Sequence, residues 1–377
     1  MKIAFDLRRI GNPGIGRYMK CLVEAVVKTA PENDYLLVMP QGSEEAVNAS
    51  GPGIERVATK MKYYSVREQV ALPGLLRRHK VDFLHSPHFL LPVACPCPAV
   101  VTIHDVIYLA CKEDLPSLPG RLYYRAMMAV AVRSAARIIT DSEFSRNDIV
   151  ARLNADPEKI DVIYPGVDAR LARVNDEEEL QRIRAKYGIH GDYILYAGIY
   201  KLRKNHAGLL QAFQKFLLDG SRAQLVIAGP LKEGEAILRR FVEELGISES
   251  VVFTGFVPEA DLAALYSAAR VYACPSLYEG FGFTVLEAMA CGTPVVCSPA
   301  TSLPEAAGNG ALYADPGNAV DFAQALQRAF HDEPLRQELI ERGRKNVESF
   351  TWDKAAAQTL AVYQSAIEAP LRSAVRA

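Results

Sequence analysis

Residues 275–292 read Pro-Ser-Leu-Tyr-Glu-Gly-Phe-Gly-Phe-Thr-Val-Leu-Glu-Ala-Met-Ala-Cys-Gly, and between Glu279 and Glu305 the only charged side chain is Glu287. The pattern puts Glu287 on a short helix among Phe, Val, Leu, Ala and Met, where an unpartnered carboxylate costs several kcal/mol or must take up a proton. Its partner could be an arginine, backbone amides, or the vicinal hydroxyls of a ligand; the residues alone leave these open. Glu279 lies in the loop before the helix, and Gly280 and Gly282 let the backbone there approach a ligand closely. Free amides at the helix start suit an anion. A carboxylate beside such a site fits a ligand with both phosphate and hydroxyls, as a nucleotide sugar has.

A second stretch, Tyr196-Ala-Gly-Ile-Tyr-Lys-Leu-Arg-Lys-Asn-His206, gathers Lys201, Arg203 and Lys204 where a strand gives way to a helix. Basic residues in such a loop are often merely solvated. Beside the glutamate loop they could instead stabilise the charge that develops on a departing diphosphate.

Short apolar runs alternate with helical patterns, the signature of parallel sheets covered by helices. Expected strands are 2–6, 35–39, 83–85, 99–103, 137–140 and 159–163, then 193–198, 224–228, 251–254, 271–275 and 294–297. Expected helices include 17–28, 66–79, 121–135, 144–153, 205–218, 233–246, 259–268, 283–291, 318–330, 334–348 and 352–368. A connection across 165–192, carrying a charged helix that begins at 176–179 and ends near 188, separates two similar α/β units with a cleft between them. In open sheets of this kind ligands bind beyond the carboxyl ends of the strands.

The glutamate pair and Arg203-Lys204-Asn205 closely resemble those of the retaining glycosyltransferases of family 4. So do Gly14-Ile-Gly-Arg-Tyr18, His104-Asp105, Tyr164-Pro-Gly-Val-Asp168 and the helix at Trp352, and the likeness covers nearly the whole chain. It implies the GT-B fold: two Rossmann-like, doubly wound parallel-sheet domains at 1–170 and 171–352, with a helix at 353–377 crossing back to the first domain. It further implies that Glu279 and the amides of Gly280, Phe281 and Gly282 hold the donor hexose, Glu287 the ribose, and Arg203 and Lys204 the diphosphate. Thr284 and Val257 complete the donor side, with the base near Gly255-Phe-Val257. His104 is expected near the reacting sugar, or else as a strand-end cap. Gly14 and Gly16 would form a loop for phosphate or acceptor. Many relatives carry an arginine after the glycine of the 193–198 strand, where this chain has Ile199. The expected reaction is retaining transfer of a hexosyl unit from a nucleoside diphosphate sugar to a hydroxyl of a glycan or lipid-linked acceptor. GDP-mannose is the first-choice donor, because 64–69 and Arg-Lys-Asn look like bacterial mannosyltransferases of polysaccharide synthesis. Either acid locked in an internal ion pair, or Lys204 directed away from the cleft, would reduce the assignment to fold likeness only.

Other functions are disfavoured. Gly14-Ile-Gly16 lacks the third glycine of a dinucleotide fingerprint, and no acid ends the 35–39 strand. No Asp-any-Asp triplet occurs, so no metal clamp and no cofactor are expected. A nucleotide-sugar epimerase and a non-catalytic binder stay as alternatives. With 43 Lys and Arg against 44 Asp and Glu, a nucleic-acid partner is not expected. Seven cysteines without metal spacing suggest a reducing cytoplasm, with Cys95 and Cys97 as packing residues. Asp6, Arg8 and Arg9 interrupt any leader, and the uncharged stretches 86–103 and 288–304 hold several prolines, so no membrane span is expected. Residues 1–168 hold 21 basic and 19 acidic side chains, a small excess that leaves peripheral contact with the inner membrane face open.

Overall fold

The computed structural model describes every residue except 13, 116, 233 and 369–377. Contacts divide the chain into two compact units. Unit 1 is Met1–Gly166 with the chain from Phe350 onward, and unit 2 is Val167–Ser349. The expected divisions lay a few residues later, after 170 and 352.

Unit 1 opens with β1 (Lys2–Asp6), α1 (Ile15–Thr29), β2 (Asp34–Pro40), β3 (Ile54–Thr59), α2 (Glu68–Arg78) and β4 (Phe83–Ser86). It continues through β5 (Ala99–Thr102), α3 (Ile107–Ala110), α4 (Leu118–Ser134), β6 (Arg137–Thr140), α5 (Glu143–Leu153) and β7 (Ile160–Val162). The seven strands run parallel in the order β3-β2-β1-β4-β5-β6-β7. Their apolar runs are buried because helices cover both faces. Leu36, Leu84, Val101 and Ile138 from the strands pack with Leu72 and Leu76 of α2 and Tyr124 and Met128 of α4 in one core. Cys95 and Cys97 pack against that core, and all seven cysteines are free thiols.

Unit 2 comprises α6 (Glu177–Tyr187), β8 (Tyr193–Ala197), α7 (His206–Leu218), β9 (Gln224–Ala228), α8 (Gly234–Glu244), β10 (Val251–Gly255) and α9 (Glu259–Ser267). Then follow β11 (Val271–Cys274), α10 (Phe283–Ala290), β12 (Val295–Cys297), α11 (Leu303–Ala307), β13 (Ala311–Tyr313), α12 (Ala319–His331) and α13 (Glu333–Val347). Its six parallel strands are ordered β10-β9-β8-β11-β12-β13. The final helix, α14 (Trp352–Glu368), returns to unit 1 and packs on α1, where the Tyr363 hydroxyl meets Nδ1 of buried His85 at 2.5 Å. The expected helix reached 377, and 369–377 lie outside the described residues.

Three expectations need correction. β3 was not anticipated: it is an edge strand whose Ile-Glu-Arg-Val-Ala-Thr sequence exposes alternate side chains and so lacks an apolar run. β13 is the opposite edge of the other sheet and only three residues long. The charged helix α6 is no linker but docks on α9. Buried Asp261 collects Lys186 Nζ at 2.5 Å and the Tyr187 hydroxyl at 2.6 Å, and Ile183 is the one buried apolar residue of α6. Among the described residues no helix is long and apolar enough to cross a membrane.

Candidate active site

Each sheet reverses its winding once, and in unit 2 the reversal falls between the neighbours β8 and β11. Connections leave β8 toward β9 on one side and β11 toward β12 on the other, so the two loops part and open a crevice at the strand ends. The loop after β8 carries Arg203 and Lys204, and the loop after β11 carries Glu279. The Leu277 amide donates to the Arg203 carbonyl at 2.7 Å, which joins the loops directly. Asn205 holds the basic loop. Its left-handed backbone (φ 53°) lets the side chain cap α7 while donating to the carbonyls of Pro275 and Pro316.

Lys204 Nζ donates to Glu279 Oε1 at 2.5 Å, and an Arg203 guanidinium nitrogen lies 3.6 Å from Oε2. The side chains of Arg203, Lys204 and Glu279 are 13%, 16% and 11% exposed. Burial alone would raise the Glu279 carboxyl; Lys204 and then Arg203 outweigh it and hold the group below its usual range. This corrects the expectation that the acid and the cations act as separate ligand groups. Glu279 is ion-paired inside the protein, the outcome named above as reducing the assignment to fold likeness. The cluster nonetheless keeps one more positive than negative charge, because two cations share one carboxylate. Such a cluster can still attract a polyanion.

The backbone beyond Glu279 is tightly held. Its amide donates to Thr301 Oγ1 at 3.0 Å, and Ser302 Oγ donates to the carbonyls of Glu279 and Phe281. Gly282, at φ 115°, turns the chain into α10, and a Cβ there would meet Leu303 at 2.9 Å. Phe281 is buried, and Thr284 on the first turn of α10 is within hydrogen-bonding reach of the Tyr272 hydroxyl. Glu287, about one turn into α10, accepts from the Tyr266 hydroxyl at 3.0 Å, so a protein hydroxyl from α9 answers one of its oxygens. Val257 follows β10, with β9 and β8 between that strand and β11. Thr301, Ser302 and Tyr266 were not anticipated; nothing in their local sequence marks them, and only the fold brings them to the glutamates.

In unit 1 the winding reverses between β1 and β4. The loop after β1 holds Gly14 and Gly16. Gly14, at φ 76°, starts α1 with open space around it, whereas a Cβ on Gly16 would lie 2.0 Å from the Ile10 carbonyl oxygen. Gly16 is therefore required by packing. At the same strand end Arg8 bridges Asp6 (2.7 Å) and Glu68 (3.1 Å), all three buried. His104 follows β5. Its Nδ1 is 2.7 Å from Asp141 Oδ2, its Nε2 is 3.3 Å from the Pro87 carbonyl oxygen, and its ring stands edge-on to Tyr18, which in turn meets Trp352 of α14. Burial disfavours charge on His104, but Asp141 and then Asp105 reverse this and raise its pKa above the usual value. Two acceptors around one ring suit the doubly protonated form. His104 thus has both ring nitrogens engaged, with its pKa shifted toward the charged form. Asp141, the first residue after β6, was missed because it lies 37 residues from its partner.

Comparison with known proteins places this geometry. Residues 14–171 match the model of Glycosyltransferase Family 4, and residues 180–346 that of glycosyl transferases group 1. O-antigen chain mannosyltransferase B of Escherichia coli is 32% identical over 97% of this chain and 100% of its own length. The MMP alpha-(1->4)-mannosyltransferase of Mycolicibacterium hassiacum is 31% identical over 81% of this chain and 75% of its own. Sucrose-phosphate synthase from Thermosynechococcus elongatus, at 21% identity, shares the fold with a TM-score of 0.78 over 98% of this chain and all of that one. With both halves matched and a relative aligned end to end, the chain belongs to the family 4 glycosyltransferases of the GT-B fold.

Proposed function

We propose that this glycosyltransferase moves a mannosyl unit from GDP-mannose to a hydroxyl of a glycan or lipid-linked glycan, with retention at the anomeric carbon. The supporting observation is the Arg203–Lys204–Glu279 cluster where the unit 2 sheet reverses, an excess of one positive charge bordered by a carboxylate. The choice of mannose rests on the names of the two mannosyltransferase relatives.

In this proposal Lys204 and Arg203 meet the diphosphate, and Glu279 with the Gly280–Gly282 backbone orients the hexose hydroxyls. Glu287 takes the ribose, Thr284 and Val257 border the donor, and Gly14 with His104 belongs to the acceptor-side unit. No metal or cofactor takes part; the two cations supply the positive charge. The bond from the anomeric carbon to the β-phosphate oxygen breaks as the acceptor oxygen bonds to that carbon from the same face. The acceptor proton passes to the departing phosphate. Fixed donors favour this step because the leaving oxygen gains charge in the transition state.

The test is incubation with a panel of nucleotide sugars, with and without glycan acceptors, followed by the anomeric carbon–proton coupling of the product. GDP-mannose should be consumed fastest and the product should keep the donor's anomeric configuration. An inverted product overturns the mechanism, an isomerised sugar nucleotide formed without acceptor points to an epimerase, and an intact panel points to a binder.

A further inference from the structure

Cys95 and Cys97 flank Pro96 in the loop between β4 and β5. Both lie against the unit 1 core, yet both stay partly exposed, and the neighbouring Ala94 and Pro96 face solvent. Cysteine is among the residues most often buried outright, as Cys274, Cys291 and Cys297 are in unit 2. Packing accounts for the inner side of each sulfur here but not for two thiols placed side by side at a surface.

The loop is pinned at both ends. The Val93 amide donates to Gln69 Oε1 of α2 at 2.9 Å, and the Leu84 amide of β4 donates to the Pro98 carbonyl at 3.0 Å. Between these points the chain bends at Pro96 and Cys97. Two Cα steps of about 3.8 Å, folded back by a bend, fall within the roughly 4.4–6.8 Å that a disulfide spans. The thiol and the amide of Cys97 both turn toward the Cys95 sulfur, so the two side chains leave on the same side of the bend.

The two thiols are also unequal. Donation from Cys97 outweighs burial and brings the Cys95 thiol below its usual range, and Arg77 of α2 adds to the effect. Cys97 is pushed up, first by Cys95 and then by burial. Residues 86–103 hold no charge, so it is the fold that brings the Arg77 cation to Cys95. A partly exposed sulfur that ionises readily beside a second thiol is the arrangement of an attacking and a resolving cysteine.

We propose that Cys95 and Cys97 form a redox-modification site that closes to a disulfide by exchange with a small-molecule disulfide such as oxidised glutathione. The Cys95 thiolate attacks one sulfur of the oxidant, and a glutathione thiolate leaves as the mixed disulfide forms. Cys97 then gives up its proton and attacks Cys95 Sγ, expelling the second glutathione thiolate. Two protein thiols are oxidised, one disulfide is reduced, and the two departing thiolates take up the two protons. The closed ring covers only residues 95–97, so it is strained, and excess reduced glutathione reopens it. The proposal goes beyond the donor chemistry and does not depend on it.

The test is incubation of the full chain with oxidised glutathione, alkylation of the remaining thiols, and fragmentation mass spectrometry of the tryptic peptide 81–112. A bond between Cys95 and Cys97 should form, Cys111 on the same peptide should be alkylated, and excess reduced glutathione should restore both thiols. Cys97→Ser should stop at the mixed disulfide and hold one glutathione on Cys95, whereas Cys95→Ser should react with the oxidant about tenfold more slowly than wild type. Circular dichroism checks that both variants are folded, and the wild-type result does not depend on them. A bond from either sulfur to Cys111, a glutathione adduct that persists on the wild-type protein, or both thiols left free where Cys97→Ser is fully modified would overturn the proposal. So would a Cys95→Ser variant that reacts as fast as wild type, since Cys95 would then not be the attacking group. None of these readouts involves the sugar donor, so a negative result leaves the proposed function standing.

Discussion

Glu279→Gln and Lys204→Met should shift the affinity for a bare nucleoside diphosphate in opposite directions. In the native cluster Lys204 and Arg203 share one carboxylate, and the three side chains are largely withdrawn from water. Glu279→Gln keeps the shape and removes the negative charge, so one excess positive charge becomes two. At an effective dielectric of about 20, a unit charge about 8 Å from the phosphates is worth about 2 kcal/mol, and salt leaves roughly half of that. GDP should therefore bind about fivefold tighter to Glu279→Gln. Lys204→Met removes a direct charge-assisted donor worth about 1.5–3 kcal/mol, so GDP should bind roughly ten- to a hundredfold more weakly. Transfer should be lost in both variants, because Glu279→Gln no longer orients the hexose. Calorimetric titration with GDP reads the affinities, and urea unfolding checks that each variant is folded. If Glu279→Gln weakens GDP binding as much as Lys204→Met, the ion pair is scaffolding that either change collapses, and the assignment of these residues to the donor fails.

Three further outcomes follow from single contacts. The His104 ring should titrate above its usual value by NMR, and Asp141→Asn should bring the midpoint down; the stability His104 contributes is complete below the ordinary histidine range and is lost as pH rises through its raised pKa, and a midpoint at or below the ordinary value would refute the pairing. Gly16→Ala should destabilise unit 1 by about 3 kcal/mol in urea unfolding, since its Cβ would meet backbone that cannot yield, and a change within error would contradict the close approach at Ile10. Tyr266→Phe removes the hydroxyl that serves buried Glu287 and should cost about 1–3 kcal/mol; an unchanged unfolding curve would mean that the Tyr266 hydroxyl contributes little to holding Glu287.

What was legible in the sequence follows from which forces have a local period. The buried strands β1, β2, β6, β8 and β9 have apolar centres, and their limits were readable to within a residue or so because burial on both faces favours apolar side chains. The edge strand β3 has one wet face and was passed over, and α6 was mistaken for a linker because an ion cluster at Asp261, not an apolar stripe, docks it. The candidate site residues stand out by type: an acid in apolar surroundings and a run of cations at a strand end are conspicuous against their neighbours.

Their partners were not legible, for a physical reason that bears on mechanism. Glu279 and Lys204 are 75 residues apart, and no spacing rule relates them; they meet because β8 and β11 are adjacent where the sheet reverses its winding. Unit 1 repeats the same reversal between β1 and β4, and at the end of β1 Asp6 and Arg8 meet Glu68 from the start of α2, all three buried. A crevice formed by diverging loops has strand ends that aim backbone and side chains at one place, and a fold that fixes only strand order can put any charges there. In unit 2 the chain has put two cations against one carboxylate, so the charge left for a ligand is the difference between them. Substitutions in this cluster must then be judged by the sign of the residual charge, and Arg203→Met, which leaves a neutral Lys204–Glu279 pair, should weaken diphosphate binding even though the closest contact of the cluster survives.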